Sequence, residues 1–249
     1  MGILVIKFFI VFTYGVMLIM NILANMVPFF GRTTGEVSAQ FPTLLTPAGF
    51  AFSIWGLIYI LLGVVTFRLL LMPSNLFEGD ALRVFVVTFI TSSLLNGLWL
   101  LAWHSLSPWL SLAVITGLLL SLVLAYLHIP DHAFHLRPAF SIYLAWISVA
   151  TILNATIAFS TTDFLSRIPP VPYFIGALML GVLLAGIMLS RRGDIPYALV
   201  FLWAYLAIFV RHLSDADMTL YASAGLAAII LTAMTTWTLH SNGFALYAE

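Results

Sequence analysis

Cysteine is absent from this chain and charge is scarce. Nine basic and nine acidic side chains in 249 residues leave a net charge of zero. Without cysteine there is no disulfide framework, no thiolate metal site and no thiol nucleophile. Without an excess of positive charge there is no electrostatic footprint for nucleic acid. Charged residues make up 7% of the chain, against about 25% in soluble domains, and the mean hydropathy is +1.12. No soluble fold can hide that much apolar surface. The chain therefore reads as an integral, multi-pass membrane protein whose solvent is the lipid bilayer.

Ionisable groups at membrane depth are missing as well. All nine acids, from Glu36 to Glu249, fall in loops or at span ends. Of the bases only Lys7 lies a few residues inside a span, where its long stem can snorkel to the interface. Intramembrane carboxylates and histidines are the usual marks of proton relays and ion pathways. Their absence argues against an ion-coupled transporter, and against hydrolysis by paired carboxylates.

What the chain has is long apolar runs. About 20 apolar residues cross a bilayer core as a helix, and eight such spans are expected, at 3–27, 48–71, 82–104, 109–128, 138–162, 172–190, 195–211 and 219–240. The fold class is all-α, a polytopic membrane bundle. The first span lacks the short h-region and small-residue cleavage site of a signal peptide, so it is expected to be a retained helix. Thr46-Pro47 reads as N-cap and first helical residue of span two, and Ser107-Pro108 as the same for span four. The Pro169-Pro170/Pro172 cluster precedes span six. The longest polar connection, Pro28–Thr46 with Gly31-Arg-Thr-Thr-Gly35-Glu36 and Gln40, is expected to cap one mouth of the bundle as a lid. Six Lys and Arg lie on the N-terminal side of the membrane and three on the other. The positive-inside rule then puts both termini in the cytoplasm, of what is read as a bacterial cytoplasmic membrane.

The interior is marked by aromatic–amide pairing. Span two carries Phe50, Phe52, Trp55 and Tyr59, the last two at i and i+4. In span three Asn96, Trp99 and Trp103 share a face. In span five Trp146, Ala150 and Asn154 fall at i, i+4 and i+8 over ~12 Å of rise, with Tyr143 on the same face. Two readings stand for that column. One is the wall of a site, with a flat surface, room beside Ala150 and an amide at the end. The other is packing, with Trp146 against a neighbouring helix and Asn154 bonded across to it. Trp103 and Trp109 read as residues of the interfacial aromatic belt. His128, His132 and His135 flank Pro130, which breaks the helix that would align them as ligands. A solvated loop is expected there and no metal site. His104, His212 and His240 read as interfacial.

The ordered set Pro47-Ala-Gly-Phe-Ala-Phe-Ser-Ile-Trp55-Gly-Leu-Ile-Tyr59, Asn96-Gly-Leu-Trp99, and Tyr143-Leu-Ala-Trp146 through Ala150 to Asn154 resembles the TspO/translocator protein family, the tryptophan-rich sensory proteins or peripheral benzodiazepine receptors. The resemblance covers roughly 1–165. It implies a five-helix core with a pocket near one membrane face, closed by the loop between helices one and two, and often a homodimer. It also implies binding of porphyrins, sterols or benzodiazepine-type ligands, and in some bacterial members photochemical porphyrin degradation by pocket tryptophans. Carried over by motif, the ligand-binding residues are Trp55, Tyr59, Asn96, Trp99, Tyr143, Trp146 and Ala150, with Asn154 deeper. Two departures stand out. Pro28–Thr46 has no Trp where the family's first loop carries several, and three further spans follow, with Trp203, Tyr205, Arg211 and Trp237. The expected domains are a TspO-like unit at 1–165 and a three-helix extension at 166–249. The expected function is a sensor or receptor for a flat hydrophobic molecule, porphyrin or tetrapyrrole or sterol-like, aiding its transport. No cofactor is expected beyond such a bound tetrapyrrole. The alternatives are a membrane enzyme that modifies or photodegrades a pigment or isoprenoid, and a partner-binding bundle.

Overall fold

In lipid every backbone N–H and C=O must be satisfied by the protein itself, and a helix does this within one segment. The computed structural model describes residues 2–27, 31–73, 79–243 and 247, and among them it contains helices and no strand. Pro28 of the expected lid, and the loop acid Glu78, lie outside the described residues, as do the side chains of Asp131 and His132 in the histidine cluster. The helices are α1 (Ile3–Met26), α2 (Thr34–Gln40), α3 (Ile54–Leu71), α4 (Asp80–His104), α5 (Pro108–Leu127), α6 (Arg137–Ser160), α7 (Asp163–Ser166), α8 (Pro170–Arg192), α9 (Ile195–His212) and α10 (Met218–Ser241). Eight of them, with their 3₁₀ extensions, are long and apolar enough to span a membrane. They coincide with the eight expected spans. The protein is an integral, multi-pass, all-α bundle.

Compactness divides the chain into two units, Met1–Gln40 with Ile54–Ile147, and Phe41–Ser53 with Ser148–Glu249. The division at 165/166 was drawn by family resemblance, which is a different criterion.

In the first unit α1 contributes one narrow seam. Lys7, Ile10, Tyr14, Met17, Asn21 and Ala24 alternate at intervals of three and four, the spacing that keeps one stripe against partner helices. Ile10, Met17 and Ala24 are fully buried. The polar members bind α3 and its end. Lys7 Nζ donates to Leu70 O at 2.7 Å and Met72 O at 2.9 Å, satisfying carbonyls at the helix C-terminus where positive charge is favoured. Lys7 is thus a helix cap as well as a snorkelling side chain. Tyr14 Oη donates to Tyr59 O at 2.9 Å.

The lid carries a helix the sequence reading did not place. Thr33-Thr34-Gly35-Glu36 is a capping box. Glu36 Oε2 accepts from Thr33 N at 2.7 Å and from Thr33 Oγ1 at 3.0 Å, and Glu36 N donates back to Thr33 Oγ1 at 3.3 Å. The backbone bond, and then the hydroxyl, hold the Glu36 carboxyl below the ordinary carboxylate range. Because the folded value is the lower one, the contribution to α2 is complete above the ordinary carboxylate value of about 4. It is lost as pH falls through the lowered folded value. Amide exchange of Val37 and Ser38 is expected to accelerate on acidification across that window. In Glu36→Gln it should show no such step.

In the second unit α9 is held by Asp194 as N-cap, whose Oδ1 accepts from Tyr197 N at 3.0 Å. Tyr205 Oη donates to Leu178 O of α8 at 2.5 Å. Span two does not begin with Thr46 as N-cap. The residues after Thr46 instead dock on α9, and a 3₁₀ turn at Gly49–Ser53 delays the α-helix to Ile54. Ala48 N donates to Ala207 O at 3.1 Å, and Trp203 Nε1 donates to Ala51 O at 3.1 Å. His212 Nε2 lies 2.7 Å from Leu44 O, while its Nδ1 lies 2.5 Å from Asp215 Oδ2. Backbone bonds to α9 have replaced the local helix start. His104, the last residue of α4 with Nδ1 2.8 Å from Leu100 O, and His212, the last of α9, are both buried against protein; His240 is exposed.

Candidate functional site

Trp55 opens α3 and is half-buried. Its i+4 neighbour Tyr59 stacks on it, at 5.5 Å and 13° between planes. Trp99 of α4 lies at 6.0 Å and a 31° tilt. From α6, Tyr143 and Trp146 meet it edge-on at 6.3 Å and 6.2 Å. These are contact distances for aromatic pairs, each contributing about 0.5–1.5 kcal/mol beyond burial. One half-exposed indole therefore plugs a ring of four aromatic side chains. Beyond Trp99 the stack continues to Trp103, at 5.7 Å and 23°.

Trp103 is not a belt residue. It is 4% exposed, and its Nε1 donates to Thr34 O of the lid helix at 3.2 Å. The lid has no Trp of its own, and a Trp from α4 reaches it instead. Trp109 is about half exposed.

A chain of polar side chains runs through the same three helices, α3, α4 and α6, and through α1. Tyr59 Oη donates to Asn21 Oδ1 of α1. Asn21 Nδ2 donates to Asn96 Oδ1 at 2.7 Å and to Met17 O at 2.8 Å. Asn96 Nδ2 then donates to Tyr143 Oη at 2.9 Å. Each donor points onward, so the bonds polarise one another in one direction. The last hydroxyl, Tyr143, is fully buried. It accepts from Asn96, and among the described residues its own proton has no acceptor.

Trp55, Tyr59, Asn96, Trp99, Tyr143 and Trp146 thus come together in the first unit. Ala150 and Asn154 continue the α6 column into the second, where Asn154 Nδ2 donates to Ala150 O of its own helix at 2.8 Å. Also in the second unit, Ser148 Oγ accepts from Tyr197 Oη at 3.0 Å. Asn21 was missed by the sequence reading. Its signal is the seven-residue spacing Lys7, Tyr14, Asn21, which puts three polar groups on one face of a largely apolar helix. No set of three or more metal-ligating side chains converges among the described residues.

A family model described as TSPO-like protein matches residues 7–237. No curated protein and no solved structure matches the chain. The family match runs well past residue 165, so it takes in six spans whole and most of the first and last, and the resemblance is wider than the motifs of the first five. With the match covering nearly the whole length, and the ordered aromatic–amide motifs assembled round Trp55, the chain belongs to the TSPO-like protein family.

Proposed function

We propose that the aromatic ring round Trp55 is the binding site for a flat hydrophobic molecule, tetrapyrrole or sterol-like, and that the protein acts as its membrane receptor or aids its transport. The observation that carries this is the buried Tyr143 hydroxyl behind a half-exposed plug. Its proton lacks an acceptor, and leaving a buried donor unmet costs about 1–3 kcal/mol. A ligand oxygen beyond the plug would remove that cost. Trp55 fills the slot, so a ligand enters by displacing its indole and takes over the faces of Tyr59, Trp99 and Trp146.

The donor set also bears on which edge goes in. The cluster holds amides, hydroxyls and indoles and no charged side chain. A carboxylate buried there would lack a counter-ion, at a cost of several kcal/mol. The inward edge is therefore neutral, a carbonyl or a hydroxyl. A tetrapyrrole fits only with its carboxylates directed outward; a sterol-like hydroxyl fits directly.

The test is intrinsic Trp fluorescence in detergent, titrated with protoporphyrin IX and separately with a fluorescent sterol. Saturable quenching or energy transfer is expected with at least one of them. Tyr143→Phe should weaken that affinity roughly tenfold for one lost hydrogen bond, and Trp146→Ala should weaken it further. Unchanged affinity in both variants would remove the site from this cluster.

The enzyme reading draws on the unbroken run of indoles from Trp146 through Trp55 and Trp99 to Trp103. Loss of pigment absorbance under illumination in air, abolished by Trp55→Phe, would favour it. Stable absorbance would leave the receptor reading alone.

A further inference from the structure

Phe41–Ser53 is a strap that packs within the second unit. Its chain neighbours, Gln40 at the end of the lid helix and Ile54 one residue before Trp55, belong to the first. Bonds to α9 fasten it. Ala48 N donates to Ala207 O, and Trp203 Nε1 donates to Ala51 O. An amide and an indole keep their protons at every pH near neutral. The bond at the lid end of the strap is different, because an imidazole makes it. His212 Nε2 lies 2.7 Å from Leu44 O.

Both nitrogens of that ring face acceptors. Leu44 O is a carbonyl, and Asp215 Oδ2, 2.5 Å from Nδ1, belongs to a carboxylate. Neither brings a proton. A neutral imidazole has one N–H and satisfies one of the two; the imidazolium satisfies both. The surroundings favour the cation. His212 is the last residue of α9, and the carbonyls left over at a helix C-terminus favour positive charge. The turn after α9 brings Asp215 back to the ring, with its N–H donating to His212 O at 3.0 Å. His212 is 4% exposed and Phe174 of α8 covers its ring at 5.6 Å, so water does not replace a lost bond. Among the described residues no other acid or base bonds to the ring. From α8 the Tyr173 hydroxyl lies beside the Leu44 backbone, and phenols titrate near about 10, well above imidazoles. Arg211 and Asp217, close by in the chain, are both exposed.

We propose that His212 is a proton-operated latch on the strap. Protonated, it holds Leu44 to the end of α9. When the ring loses one proton, the other stays on Nδ1, where the bond to a carboxylate is the stronger of the two. Nε2 then turns a lone pair on the Leu44 carbonyl, and the two repel. The strap comes free at Leu44 while Ala48 and Ala51 stay bonded, which leaves slack in the four residues that lead back to the lid helix. That this slack loosens the lid over a ligand rests on the binding site proposed round Trp55; the latch itself does not.

The full-length protein in detergent is titrated from about pH 5 upward until the ring has lost its proton. Nitrogen-15 labelling of histidine reads the state of each ring nitrogen, and His212→Gln assigns the resonances. Amide exchange, corrected for the unstructured rate at each pH, follows Thr46 N, which donates to Thr43 O within the strap at 3.1 Å. Both ring nitrogens should carry protons at the acidic end, and Nδ1 alone at the alkaline end. Over the same pH range the protection of Thr46 should fall roughly tenfold or more, the usual contribution of a hydrogen bond to a charged group. In His212→Gln the protection should not change with pH, since a carboxamide does not titrate there. Asp215→Asn, at a position one-third exposed, should abolish the step as well. An asparagine amide can donate to Nδ1, so the neutral ring keeps its N–H on Nε2 and Leu44 stays bound. A histidine with only a packing role would show no such rescue. A ring neutral at every pH, a neutral ring with its N–H on Nε2 in the unaltered protein, Thr46 protection that ignores the ring's titration, or a step that persists in Asp215→Asn would each overturn the proposal.

Discussion

Asn96→Leu is expected to destabilise the first unit by roughly 1–3 kcal/mol, the usual cost of orphaning a buried polar group. Asn96 both accepts from Asn21 and donates to Tyr143. Asn21 would keep its bonds to Met17 O and Tyr59, but the Tyr143 hydroxyl would be left with no partner inside the protein. Polar pairs between membrane helices average nearer 0.6 kcal/mol by double-mutant cycle. The stranded hydroxyl therefore decides the size of the effect, and a second variant separates the two terms. Adding Tyr143→Phe removes the orphan, and the double variant should recover most of the loss, since replacing both partners by apolar groups is nearly neutral. Thermal melts of the three variants in one detergent check this. If the double variant is as unstable as Asn96→Leu alone, the loss lies in packing round Asn96 and the polar chain contributes little.

Gly181→Ala is expected to damage the second unit as severely. A Cβ on Gly181 would overlap the Tyr205 hydroxyl and come within 2.7 Å and 2.8 Å of the Phe201 ring. Phe201 is fully buried and Tyr205 is 4% exposed, so neither ring has room to retreat. Overpacking of this kind costs about 1–3 kcal/mol, and displacing Tyr205 also breaks its bond to Leu178 O. Gly176→Ala on the same helix meets nothing within 4 Å. It should be neutral or stabilising by up to about 1 kcal/mol through helix propensity. Tyr205→Phe should partly rescue Gly181→Ala by removing the overlapping oxygen. Equal melting of the two alanine variants would mean that α8 and α9 have freedom to separate at this crossing.

The two variants probe different uses of small and polar residues. At Asn96 the helices are joined by an amide that only another polar group can replace. At Gly181 they are joined by the absence of a side chain, which lets one tyrosine reach the opposite backbone. Both devices suit a protein whose helices gain nothing from expelling water at their interfaces, because the alternative neighbour is a lipid tail.

The eight spans were legible because the bilayer makes one demand of every residue in them, apolar side chains over some 20 positions. Pro108 and Pro170 mark helix starts for a local reason, the missing N–H of a first-turn proline. The family was legible in the order of Trp55–Tyr59, Asn96–Trp99 and Tyr143–Trp146, since each pair lies within one helix. The α2 capping box was equally local, in Thr33-Thr34-Gly35-Glu36, and was passed over because the whole segment read as irregular.

Other features were settled between helices. Trp103 sits at a span end, as belt residues do, and only the fold of the lid over α4 puts its indole inside. Thr46-Pro47 has the letters of a helix start, and α9, some 150 residues later, supplies the backbone partners that hold it open. Asn21 is one amide in a long apolar run until α3 and α4 bring Tyr59 and Asn96 to it. By itself the sequence determined what each segment does toward lipid, because that depends on composition over one helix. Which polar group finds a partner on another helix was decided by the tertiary structure alone. A hydrogen bond needs two groups within about 3 Å, and for Asn21 with Asn96, Asn96 with Tyr143 and Trp103 with Thr34 the two groups lie on different helices.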